Sequence, residues 1–111
     1  MGYYADGNGY VTVRKLEDKR MDELENVLKD CGCCFDYDIS DNANHTEVCL
    51  NFYEKYYGDS VEELLNNLIQ FGIVDGEVEF SGEDYCHWRF KWYDKPKGHW
   101  EEQNGHVVYD E

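Results

Sequence analysis

Basic residues are scarce in this chain. Ten Lys and Arg stand against 25 Asp and Glu, giving a formal net charge of −15 over 111 residues. A surface of that sign repels a phosphate backbone and an anionic lipid face alike, so neither free nucleic acid nor a membrane surface is an expected ligand. Long apolar runs are missing too. No stretch approaches the roughly 18 residues that a spanning helix requires. The opening Met1-Gly2-Tyr3-Tyr4-Ala5-Asp6 lacks the basic and apolar regions of a secretory leader, and Asp6 occupies the place where a myristoylation signal needs Ser or Thr. The expectation is a cytoplasmic protein. The sequence also has no phosphate-binding glycine loop, no GxSxG, no HExxH and no EF-hand pattern, and Asp6-Gly7-Asn8-Gly9 is too short for a calcium loop. A protein that is not an enzyme and carries no cofactor is expected.

What is present suffices for a folded domain. Apolar residues make up 41% of the chain and aromatic residues 16%, enough for a packed interior despite the charge. The length suits one domain over residues 1–111. Five cysteines (Cys31, Cys33, Cys34, Cys49 and Cys86) form an odd set without a regular framework, which points to a reducing compartment. Cys49 and Cys86 fall in strand-like runs and read as core or sheet residues.

Asp6-Gly7-Asn8-Gly9 reads as a turn, followed by a strand over residues 10–15. Met21, Leu24, Val27, Leu28 and Cys31 recur at three- and four-residue steps, an amphipathic helix closing near Gly32. Strands follow over 34–39 and 46–53, joined by the polar turn Asp41-Asn42-Ala43-Asn44. Ser60 and Glu63 form a capping box ahead of the stripe Val61, Leu64, Leu65, Leu68 and Ile69, with Gly72 as the stop. After Asp75-Gly76 come Val78 and Phe80, a break at residues 81–84, then a strand over 85–93 with Trp88, Phe90 and Trp92 on one face. Either a bulged strand or a tight hairpin fits this stretch. Residues 94–98 turn the chain, and Asn104-Gly105 is a hairpin signal between 100–103 and 106–109. The expected fold is α+β: a ferredoxin-like β-α-β-β-α-β antiparallel sheet with two helices on one face and a C-terminal β-hairpin extension.

Charge is distributed unevenly. Residues 30–88 contain fourteen acidic side chains and one Lys or Arg, Lys55. Carboxylates arrayed on a rigid surface can stand in for phosphates in a basic groove, with the same steering and salt dependence. The candidate contacts are Glu47, Glu54, Asp59, Glu62 and Glu63 around the second helix, and Asp75, Glu77, Glu79, Glu83 and Asp84 around the following strand, where the alternation of Asp75, Glu77 and Glu79 places three carboxylates on one face of an extended segment. Tyr56 and Tyr57 are candidate aromatic anchors beside them. The competing explanation is that the charge serves solubility alone.

Other chemistry is poorly supported. Cys31, Cys33 and Cys34 with His45 offer thiolate and imidazole groups, but the spacing is wrong for paired zinc knuckles and no second pair follows. Cys86 and His87 are strand neighbours whose side chains diverge, so adjacency does not make them a nucleophile and base.

Gly82-Glu83-Asp84 leading to Trp88-Arg89-Phe90, followed by Gly98-His99-Trp100-Glu101 and Gly105-His106-Val107-Val108-Tyr109, resembles small acidic proteins encoded by phages and mobile elements, as does the Met1-Gly2-Tyr3 opening. The likeness covers about the last quarter of the chain. It implies an inhibitor of the anti-CRISPR or anti-restriction type, and hence a nuclease or CRISPR effector as partner. The alternatives are an interaction module or homodimer using an aromatic sheet face, and a small-molecule-binding protein with a pocket beside the extra hairpin.

Overall fold

The computed structural model of the chain describes residues 3–31, 35–53, 55–56, 58–83, 85–95 and 97–104. Its centre is β1 (Tyr3–Arg14), which pairs with β3 (His45–Phe52) on one side and β5 (Ile73–Gly82) on the other. Beyond them lie β2 (Phe35–Asp41) at one end and β6 (His87–Tyr93) and β7 (His99–Asn104) at the other, in the order β2-β3-β1-β5-β6-β7. Every pairing is antiparallel. The two-residue β4 (Lys55–Tyr56) pairs with Tyr3 and Tyr4 at the start of β1. The fold is therefore α+β, with an open antiparallel sheet and two helices. The order differs from a four-stranded sheet with a separate hairpin, because β6 and β7 continue the same sheet. Residues 106–109, expected as the second arm of a hairpin, lie outside the described residues.

The helices are α1 (Asp18–Lys29) and α2 (Gly58–Leu68). In α1 the three- and four-residue spacing buries Leu24 and Leu28, while Asp18 in the first turn and Lys29 in the last complement the helix dipole. Helix α2 buries Val61, Leu64, Leu65 and Leu68, then tightens into a single 3₁₀ turn (Ile69–Phe71). Gly72 ends it in the left-handed region at φ 81°, as expected of a glycine stop. The helix begins two residues before the expected cap, so Ser60 lies inside the first turn.

Strand alternation sends Val11, Val13, Val48, Leu50, Phe52, Val78, Phe80, Trp88, Phe90 and Trp92 to the face that carries the helices, and they share one core with the helix stripes. Burial of such side chains stabilises by about 1.5–3 kcal/mol each relative to exposure. At the β2–β3 turn, the Lys15 ammonium reaches Asp41 (2.7 Å) and the Asn42 carbonyl (2.8 Å), and the buried Thr46 hydroxyl donates to Asp41. Lys15 chiefly, with Thr46, holds the Asp41 carboxyl below its ordinary range.

One expected turn is strand interior. Residues 6–9 run straight through β1, and Asp75-Gly76 lies inside β5. Their glycines serve close approach instead. A Cβ at position 9 would collide with the Glu77 carbonyl oxygen and lie 2.5 Å from Val78 Cα. At position 76 a Cβ would lie 2.6 Å from the Trp100 ring. The break at residues 81–84 resolves the remaining ambiguity in favour of a hairpin between β5 and β6.

Gly9→Ala should therefore destabilise the domain by about 2 kcal/mol or more, as the β1–β5 backbones must part. The neighbouring Asn8→Ala, on the exposed face, should stay within about 0.5 kcal/mol. Urea midpoints of the two variants test this, and equal midpoints would reject the close-approach account.

Candidate functional site

The face of the sheet opposite the helices is polar throughout. Strand register orders it into rows. One row runs Asp38, Cys49, Tyr10, Glu77, Lys91, Glu101; the next runs Asp36, Asn51, Asn8, Glu79, Arg89, Gln103; a shorter one runs Ser40, Glu47, Thr12, Asp75. Read along the strands, β2 contributes a column of Asp36 and Asp38, and β5 a column of Asp75, Glu77 and Glu79. Carboxylates within a column are spaced by roughly 7 Å, and the columns lie roughly 14 Å apart by ordinary strand spacing. Between them Asn8, Tyr10, Cys49 and Asn51 form a neutral strip, bounded by Asp6 at one end and by Glu47 and Arg14 toward the other.

The columns differ in how they are held. Glu77 accepts from the Arg89 guanidinium (3.0 Å) and lies 3.7 Å from the Lys91 ammonium. Arg89 also donates to Gln103 (2.7 Å), which donates to the Tyr93 hydroxyl (2.8 Å), so β5, β6 and β7 are tied across this face. Asp75 accepts from the Tyr10 hydroxyl (3.0 Å) and from the Gly76 amide (2.9 Å), and among the described residues meets no cation. Among the described residues no ion pair engages Asp36, Asp38, Glu47, Asp75 or Glu79. The field they create shows in their neighbours. The Cys49 thiol is pushed above its ordinary range by partial burial first, then by the charges of Glu47 and Asp38. Tyr10 is raised by burial, by its hydrogen bond to Asp75 and by the charges of Asp75, Glu77 and Glu47.

The expected contact residues divide between surfaces. Glu47, Asp75, Glu77 and Glu79 share the open face, whereas Asp59, Glu62 and Glu63 lie on α2, across the sheet from them. Glu83 sits in the β5–β6 turn, where its amide donates to the Tyr4 carbonyl (3.0 Å). Tyr56 is half-buried: its ring meets Phe80 and Trp88 edge-on, each at 5.1 Å, and its hydroxyl accepts from the Trp88 indole at 3.2 Å. It is a core aromatic more than an exposed anchor. Glu54, Tyr57 and Asp84 lie outside the described residues. The aromatic sheet face, with Trp88, Phe90 and Trp92, is the covered one.

Cys49 is a sheet residue on the exposed face of β3, whereas Cys86 is exposed just ahead of β6, and neither belongs to the core. Among the described residues no group of His, Cys, Asp and Glu could hold a metal ion, and no helix is long and apolar enough to cross a membrane. Cys33 and Cys34 lie outside the described residues. Sequence reasoning missed Asp36 and Asp38, although the alternation Phe35-Asp36-Tyr37-Asp38-Ile39 places both on one strand face. What the sequence did not supply was the register joining that face to Glu47 and Glu79.

No protein-family model, curated protein or solved structure matches this chain.

Since the thiolate is the reactive form, Cys49 should alkylate with iodoacetamide more slowly than an unstructured cysteine peptide, with its pH–rate midpoint displaced upward. Asp38→Asn with Glu47→Gln should bring the midpoint part of the way down, and added salt should act in the same direction. Mass spectrometry of the Cys49 peptide isolates this thiol. A midpoint unmoved by the two substitutions would show that the carboxylates do not set the field here.

Proposed function

We propose that this chain is a non-catalytic binding protein that presents its acidic sheet face to the basic groove of a nucleic-acid-handling protein. The observation that carries the reading is the pair of carboxylate columns flanking a largely neutral strip on the sheet face opposite α1 and α2. Their roughly 14 Å separation is of the order of the ~12 Å major groove of a duplex. Arg and Lys that normally meet phosphates would meet Asp36, Asp38, Glu47, Asp75 and Glu79. The likeness to small acidic phage proteins adds the role: a cytoplasmic inhibitor of a nuclease or CRISPR effector, of the anti-restriction or anti-CRISPR kind. On this reading β1, α1, β2, β3, α2 and β5 form a ferredoxin-like split βαβ unit, and β6 and β7 widen the sheet that displays the charge.

A second reading, a general interaction module or homodimer, draws on one feature. Tyr85, at the tip of the β5–β6 hairpin, is 89% exposed and holds φ at 66°. A bulky residue in the left-handed region is uncommon, and an exposed one gains no core packing in return. An aromatic anchor offered to a partner protein would account for it.

Immobilised domain should capture nucleic-acid-binding proteins from bacterial lysate at low salt and release them at high salt. Reversal on the sheet face (Asp38→Lys, Glu47→Lys, Glu79→Lys) should abolish that capture in a variant that still unfolds cooperatively. Reversal on α2 (Asp59→Lys, Glu62→Lys, Glu63→Lys) should leave it largely intact. Capture that survives sheet-face reversal but fails in Tyr85→Ser would favour the second reading over the first.

A further inference from the structure

The covered side of the sheet has a cleft of its own. It encloses ≈ 250 Å³ where α2 meets β6 and β7, and is lined by Glu62, Leu65, Asn66, Phe90, Trp100 and Glu102. Leu65 and Phe90 belong to the buried core. Trp100 is half-buried, and its indole N–H donates to the Leu65 carbonyl at 3.0 Å. That bond uses the only polar group of the ring, so the indole can offer a ligand only its hydrocarbon and π surface. An edge-on contact with Trp92 at 5.5 Å further fixes it.

Over this apolar lining stand two carboxylates from different elements. Glu62 projects from α2, one helical turn before Asn66. Glu102 lies opposite Phe90 on β7, on the sheet face turned toward the helices. Alternation gives that position to an apolar side chain elsewhere in the sheet, as at Phe90 itself and Val78 beside it. Both carboxylates are exposed, and among the described residues neither has an ion-pair partner.

We infer that this cleft binds a small organic cation, an ammonium or guanidinium group on a short apolar stem. The stem would pack against Leu65, Phe90 and the Trp100 ring, the charged head would meet Glu62 and Glu102, and Asn66 could accept a further hydrogen bond. An indole with nearby carboxylates is a favourable setting for a cation, through the ring quadrupole and direct charge pairing. The volume lies below that of pockets for drug-sized ligands, which suits a simple amine. This site is across the sheet from the acidic face and does not depend on the reading proposed for that face.

Phenethylammonium is a suitable probe, with uncharged phenethyl alcohol as its neutral counterpart. Titrated into isotopically labelled full-length protein, the amine should shift the Trp100 indole N–H and the Asn66 and Glu102 amides saturably. Glu62→Gln with Glu102→Gln should weaken it by about tenfold, the scale of partly exposed charge pairing, and leave the shifts caused by the alcohol unchanged. Equal binding of amine and alcohol would overturn the inference in favour of a plain apolar cleft. It would also be overturned by unsaturable shifts, or by a double variant that binds the amine normally.

Discussion

Everything in this molecule depends on β1 lying close between two partners. It is the longest strand, it pairs on both sides, and its register with β3 and β5 decides which side chains face the helices. At Gly9 the backbones of β1 and β5 approach so closely that no side chain fits. A one-residue slip would turn Val11 and Val13 outward and bring Tyr10 and Thr12 into the core. The same slip would remove the opposition of Asp75 to Thr12 and Glu77 to Tyr10, and with it the rows of the polar face. Packing on one side and charge arrangement on the other are thus two consequences of one register.

The charge itself works against folding. A net −15 on 111 residues repels itself most in the compact state. The fold relieves part of that repulsion locally: Arg89 and Lys91 meet Glu77 across β5 and β6, Lys15 meets Asp41 at the β2–β3 turn, and Arg20 meets Glu23 on α1. These are partly exposed pairs, worth little individually. Net stability must come from the opposite face, where buried aromatic and aliphatic side chains from β1, β3, β5 and β6 meet those of both helices. Phe80 shows how closely: it stacks on Trp88 at 5.5 Å and meets Phe52, Tyr56 and Phe90 within 6.0 Å.

Legibility in the sequence followed the strength of the local physics. The stripes of α1 and α2 were readable because helical periodicity and burial agree, and Gly72 because a left-handed stop suits glycine. Trp88, Phe90 and Trp92 were readable as one face. Glycine was ambiguous at Gly9 and Gly76: turn chemistry and close approach use the same residue, and only the neighbouring strand distinguishes them. Glu47 and the alternating Asp75, Glu77 and Glu79 could be identified among the acidic residues of the open face, the last three as one group, but not their alignment with Asp36 and Asp38 on β2. Glu62 and Glu79 are equally acidic in sequence yet lie across the sheet from one another, a separation that tertiary topology alone determines. The half-burial of Tyr56 was not legible for a related reason, since an amphipathic ring suits an interface and a core edge alike.

The distribution of cations bears on what the acidic face is for. Solubility requires charge somewhere on the surface but no particular arrangement of it. Here the cations of β6 are engaged with Glu77 at one margin of the open face, Lys15 is engaged with Asp41 at the end of β2, and Arg14 stands at the end of β1 opposite His45. The stretch between these margins carries Asp36, Asp38, Glu47, Asp75 and Glu79 without an ion pair among the described residues. Interspersing one lysine at Asn8, Asn51 or Thr12 would cost the core nothing, because those side chains point away from it, and would lower the self-repulsion. A surface that forgoes this relief while neutralising its margins has a defined negative field with boundaries. A basic partner can orient on such a field, which uniform acidity would not provide.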